Sequence, residues 1–126
     1  MTSEHWMHIF TLLAIIVVAD DRVYKEEVDS YIAQVEFLKA EVDTEALVTT
    51  KLAFDWFVAQ RPEIQEKLKS DDAEFFVIRT IQQLLDFPNH AALLEAMRSV
   101  SISDQEYHVQ EKSIIELAAT HWGVDL

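Results

Sequence analysis

One glycine and two prolines in 126 residues leave this chain few places to turn sharply. A sheet protein of this length needs many tight turns. Such turns draw on Gly, Pro and Asn for backbone conformations that other residues resist. Gly123, Pro62 and Pro88 cannot supply them, so the expected fold class is all-α, built from few, long elements. Half of the residues are apolar, enough for one core in a single domain spanning 1–126. Cysteine is absent, which excludes disulfides, thiolate metal sites and a Cys nucleophile and accords with a cytoplasmic protein.

Helical periodicity predicts a compact bundle of about seven helices. Ser3 is the expected N-cap of the first, which runs to about Ala19. Trp6, Ile9, Phe10, Leu13, Ile16 and Val17 form one stripe, and Leu12, Ile15 and Val18 widen it until little polar face is left. A helix that apolar belongs in the middle of a bundle. The run from Ile9 to Ala19 is too short to span a bilayer, which takes about 20 apolar residues. It also lacks the basic flank of a signal peptide, although Val17-Val18-Ala19 would pass as a cleavage site.

The second helix is expected from about Tyr24 to Ala40, with Val28, Tyr31, Ile32, Val35 and Leu38 inward. Thr44 is the expected cap of a third, with Leu47, Val48, Leu52, Trp56 and Phe57 inward. Pro62 is expected to end it and open a short fourth helix to Leu68. A fifth, capped by Ser70 or Asp71, runs from Asp72 to about Asp86 and carries Phe75, Phe76, Ile78, Ile81, Leu84 and Leu85. Asn89 caps a sixth to about Val100. The last runs from Val109 to Trp122, with Gly123 in the left-handed position beyond it.

The net charge is −13. Binding to a phosphate backbone relies on Lys and Arg, so nucleic acid is a poor partner, and an anionic membrane is repelled likewise. Cations and basic protein surfaces fit. The charge is uneven: residues 20–45 hold nine acids against three bases, and residues 101–126 five against one.

Those two acidic stretches contain a weak internal repeat. Val18-Ala19-Asp20-Asp21-Arg22-Val23-Tyr24-Lys25-Glu26-Glu27 matches Ile102-Ser103-Asp104-Gln105-Glu106-Tyr107-His108-Val109-Gln110-Glu111. In each, an apolar helix end is followed by Asp, then by a residue of some bulk three further on, then by Glu at Asp+7 at the start of an amphipathic helix. Asp20 pairs with Asp104, Val23 with Tyr107, and Glu27 with Glu111.

The pattern resembles the TerB-like family, which comprises the tellurite-resistance protein TerB and the N-terminal domain of DjlA-type co-chaperones. That family carries Ala-Asp-Gly, a hydrophobic residue two further on, and then Glu opening the next helix, near both ends of an all-helical domain. Ala19-Asp20, Val23 and Glu26-Glu27 fit the first copy. Asp104 and Glu111, with Leu117-Ala118-Ala119 and Trp122-Gly123-Val124 after them, fit the second. The motif glycine is replaced by Asp21 and Gln105, and the small capping residue by Tyr24 and His108. The resemblance implies two related helix-loop-helix hairpins and a bacterial stress or envelope-associated setting. It also implies that the acidic motif residues are candidate metal ligands.

Two readings of these acids stand. As a cation site, Asp20, Asp21, Glu26 and Glu27 would converge on one loop and Asp104, Glu106 and Glu111 on its counterpart. Ca²⁺ wants six to eight oxygens, and Mg²⁺ an octahedral set that keeps several waters. As helix-start chemistry, Glu at the third helical position is half of a capping box, and first-turn acids are favoured by the helix dipole. The Ser or Thr that completes a box is missing at Tyr24 and His108.

Conventional catalytic patterns are absent. No His follows Glu at the spacing of di-metal carboxylate bundles. His-Glu-x-x-His, a phosphate loop, a nucleophile elbow and an EF-hand loop are all missing. Trp6, Phe10, Phe54, Trp56, Phe57, Phe75, Phe76 and Trp122 read as core, with the alternative that Phe54, Phe57 and Phe76 overflow it to form a partner groove. The expected function is a non-catalytic binding or sensing module that docks a protein partner, tuned by a divalent cation. The second reading is a small metal-dependent enzyme using the acidic loops, which would need a polar pocket joining Asp20, Glu27, Asp104 and Glu111. The fold class predicts a far-UV circular dichroism spectrum dominated by helix. A spectrum requiring substantial strand overturns it.

Overall fold

The structure is a computed structural model that describes residues 2–19, 23–103 and 109–125. Its helices are α1 (Ser3–Val18), α2 (Lys25–Val42), α3 (Thr50–Lys69), α4 (Ala73–Gln82), α5 (His90–Ser101) and α6 (Val109–Trp122). Among the described residues there are six helices and no strand. The all-helical expectation is borne out, and the described residues hold six helices where about seven are expected.

Every residue from Leu12 to Val18 is buried. A helix that apolar on all sides must be covered on all sides, and α1 packs against α2, α3, α4 and α5. The outer helices also pack on one another: α2 on α3, α3 on α4, α4 on α6, α6 on α5 and α5 on α2. The result is a closed ring of five helices with α1 inside it. Buried residues of all six helices form one continuous core. No helix among the described residues is long and apolar enough to cross a membrane.

Capping chemistry sets several helix ends. The N-cap of α1 is Thr2, not Ser3. Thr2 Oγ1 accepts from the His5 amide at 3.3 Å and His5 Nδ1 accepts from the Thr2 amide at 3.4 Å. His5 thus does the work a Glu or Gln usually does in a capping box. Asn89 caps α5 as expected, accepting from Ala92 N at 3.0 Å. At the end of α6, Gly123 has φ +67°. Gly123 N donates to Thr120 O and Val124 N to Ala119 O, the paired bonds of a Schellman motif.

The middle of the chain departs from the sequence reading. Pro62 lies inside α3 and neither ends it nor starts a separate helix. Its missing N–H forfeits the bond to the carbonyl of Val58. Val58 and Pro62 are both exposed, where water can take the freed carbonyl, while Phe57 and Ile64 are buried on either side of the break. Core packing on both sides carries the helix through.

Helix α3 also starts five residues later than a Thr44 cap implies: Thr49 is its N-cap and accepts from Leu52 N at 3.0 Å. Residues 43–49 form a crossover instead, held by Val48 in the core and by Lys39 Nζ donating to Val48 O at 3.1 Å. Leu47, expected inward, is 95% exposed and Leu52 is 47% exposed. Asp72 replaces Ser70 or Asp71 at the start of α4, which ends at Gln82 instead of Asp86, and Phe75 and Leu85 point to solvent.

Buried polar groups close the packing. Tyr31 Oη donates to Ala53 O at 2.9 Å between α2 and α3, and Trp122 Nε1 donates to Ile81 O at 3.0 Å between α6 and α4. Burial pushes the Tyr31 phenol above its ordinary value, which keeps it a donor. Leu13 is fully buried at the centre of α1. Leu13→Ala is expected to lower unfolding free energy by roughly 2–5 kcal/mol, as read by chemical denaturation, from lost transfer energy and the cavity left behind.

Candidate functional site

The acids of the repeat stand at two helix starts. Glu26 and Glu27 are the second and third residues of α2, and Glu111 is the third residue of α6. Glu27 and Glu111, paired by sequence alone, therefore occupy the same helical position. Both are completely buried, whereas Glu26 is exposed. Burying a carboxylate is costly unless it is paired or hydrogen-bonded, and each of the two is engaged with its surroundings. The positive end of the helix dipole lies at each position and favours negative charge there. Tyr24, the N-cap of α2, makes no side-chain capping bond, so Glu27 does not complete a capping box with it.

The other members of the candidate metal set, Asp20, Asp21 and Asp104, lie outside the described residues, as does Glu106. Among the described residues no group of three or more His, Asp or Glu side chains could hold a metal ion. The helices that carry Glu27 and Glu111 both pack against α5.

A second polar cluster escaped sequence reasoning. Glu4, His5, His8, Gln83 and Asp86 surround a hollow of about 170 Å³. His5 Nε2 lies 3.2 Å from both carboxylate oxygens of Asp86. The two residues are 81 positions apart, and no local pattern announces the contact. The bond to His5 holds the Asp86 carboxyl below its usual range. His8 is pushed below its ordinary value mainly by burial, with His5 and Arg79 adding to the effect and Glu4 opposing it.

A third feature is apolar. A cavity of about 580 Å³ opens between the first turns of α1, the 43–49 crossover and the start of α3. Trp6 and Phe10 are buried beneath it, while Met7, Leu47 and Leu52 stand exposed around it. Among the three phenylalanines proposed for a partner groove, Phe57 is buried, Phe76 half-buried and Phe54 exposed, and none of them lines this cavity.

Comparison of the chain with known protein families, curated proteins and solved structures finds no match.

The lowered His8 value gives a pH dependence. Its folded value lies below the unfolded 6.5, so the unfolded chain takes up its proton first as pH falls. The stability it contributes is complete above about pH 6.5 and is lost as pH falls toward the folded value. Wild type is therefore expected to lose more melting temperature between about pH 7.5 and 5 than His8→Asn does, as read by scanning calorimetry. An equal or larger loss in the variant overturns this.

Proposed function

We propose that the chain is a non-catalytic binding or sensing module of TerB-like type, tuned by a divalent cation and acting through a protein partner in a bacterial stress or envelope-associated setting. One observation carries the reading. Two glutamates that the repeat pairs by sequence, Glu27 and Glu111, share the third position of a helix and are both fully buried. Large apolar side chains usually fill such positions, and buried acids are uncommon. Two at equivalent places argue for a shared task.

In each copy an Asp stands seven residues before the buried Glu, with Asp21 and Glu26 between them in the first and Glu106 in the second. That concentration of negative charge suits Ca²⁺ or Mg²⁺, both hard cations with a preference for oxygen. The first copy is the stronger candidate, with Asp21 and Glu26 where the second has Gln105 and Gln110. The cation would act as a strut between a connection and the helix it opens, and no reacting group is needed for that role.

Titration calorimetry and thermal unfolding with millimolar Ca²⁺ or Mg²⁺ test the proposal. Wild type is expected to bind weakly and to gain about 1.4 kcal/mol at free cation ten times the dissociation constant. Asp20→Asn/Glu27→Gln should abolish most of the effect and Asp104→Asn/Glu111→Gln the remainder. If neither heat nor a variant-sensitive thermal shift is seen, the glutamates are helix-start residues with no ligand and the proposal fails.

A further inference from the structure

We infer that the cavity between α1 and α3 is a docking groove for a basic amphipathic helix of another protein. This takes up the protein-partner half of the function proposed above but places it on a different surface, so each can fail without the other.

The groove has a firm apolar floor. Trp6 and Phe10 are each 3% exposed, with ring centroids 6.4 Å apart, and Phe10 lies 5.6 Å from the Trp56 ring. Trp6 Nε1 is buried with no acceptor among the described residues. Met7, Leu47 and Leu52 form the walls. The exposure of Leu47 is not that of a loose end. Its neighbour Val48 is buried, and the Lys39 ammonium holds the Val48 carbonyl. The crossover therefore presents Leu47 to solvent from an anchored backbone.

The groove continues along the bundle. A second hollow of about 190 Å³ shares Met7 and Trp56 with the first and runs past Ile64 to Lys67 and Phe76. From Leu52 to Lys67 the wall follows one face of α3, a rise of about 22 Å at 1.5 Å per residue. That length matches about four turns of a bound helix, whose apolar residues at i, i+3, i+4 and i+7 would meet the floor.

Charge selects the occupant. Asp43 and Glu45 line one end and Glu63 the other. The C-terminus of α2, at Val42, adds its negative dipole end beside Asp43. Lys67 is the basic side chain of the lining, and it already lies 3.4 Å from Glu63 and 5.1 Å over the Phe76 ring. An apolar trough with an acidic end at Asp43 and Glu45 fits a helix with Leu, Ile or Phe on one face and Lys or Arg on the other. A second copy of this chain does not fit: at net charge −13 it brings acids to acids.

The test is titration of the full chain with a synthetic four-turn Leu/Lys amphipathic helix, followed by tryptophan fluorescence, since Trp6 and Trp56 report from the groove. The expected result is saturable one-to-one binding that is at least tenfold weaker for Leu47→Asp/Leu52→Asp and for the single variant Leu47→Asp. Glu45→Lys should weaken it at least threefold. Glu116→Lys, the same charge change on α6, should leave it within about twofold. The matching Leu/Glu helix should not bind. Absence of binding, or equal weakening by Glu45→Lys and Glu116→Lys, overturns the inference. So does self-association of the wild type, seen by light scattering and abolished by Leu47→Asp, which would assign the groove to a second copy. Binding of Ca²⁺ or Mg²⁺ should be unchanged by Leu47→Asp, which separates failure of the groove from failure of the cation proposal.

Discussion

The seven buried residues from Leu12 to Val18 dictate the architecture. A helix with one apolar stripe can lie on a bundle surface, but one that is apolar all round is stable only when covered on every side. The five remaining helices meet that demand by closing a ring, with α4 and α5 bridged by α6. Their own faces need be only half apolar, because α2, α3, α4 and α5 each contribute one side to the sheath and α6 packs on α4 and α5. This explains how so acidic a chain keeps a continuous core: apart from Glu27 and Glu111, the charged side chains of the ring helices are exposed or half-buried.

Polar contacts then fix how the ring closes. Tyr31 ties α2 to α3 through the Ala53 carbonyl, and Ser30 ties α2 to α5 through Ser99 O at 3.1 Å. At and just beyond the end of α4, two carbonyls that accept from the backbone also accept from side chains elsewhere. Ile81 O accepts from Trp122, and Leu84 O accepts from His90 Nε2 at 2.8 Å. The two rings that make these bonds stack at 4.7 Å, nearly parallel. One aromatic pair therefore joins the end of α4 to α5 and α6. Glu27 and Glu111, at the starts of α2 and α6, are buried polar groups of the same kind, each engaged with its surroundings.

The sheath is thinner over the start of α1. Over the first turns of α1 the covering element is the 43–49 crossover and not a helix, because α3 begins only at Thr50. This short turn-containing connection covers less area than a helix, so Trp6 and Phe10 are buried yet lie directly under a trough. The groove proposed for a basic helix and the late start of α3 are one structural fact.

Much of this was legible in the sequence. Poverty in Gly and Pro determined the all-helical class, the apolar run determined that α1 is central, and Asn89 and Gly123 marked helix ends through chemistry confined to a few residues. The equivalence of Glu27 and Glu111 also followed from spacing alone, whereas their full burial did not. The tertiary structure decided the rest, for reasons that no local window contains. Pro62 sits within a helix because Phe57 and Ile64 are packed on both sides of it. Thr49 caps α3 in place of Thr44 because the chain must first deliver Val48 to the core. Leu47 and Leu52 face solvent for the same reason. His5 meets Asp86 only because the ring brings the end of α4 against the start of α1. Periodicity states which residues are apolar, but which of them are covered depends on where the other helices lie.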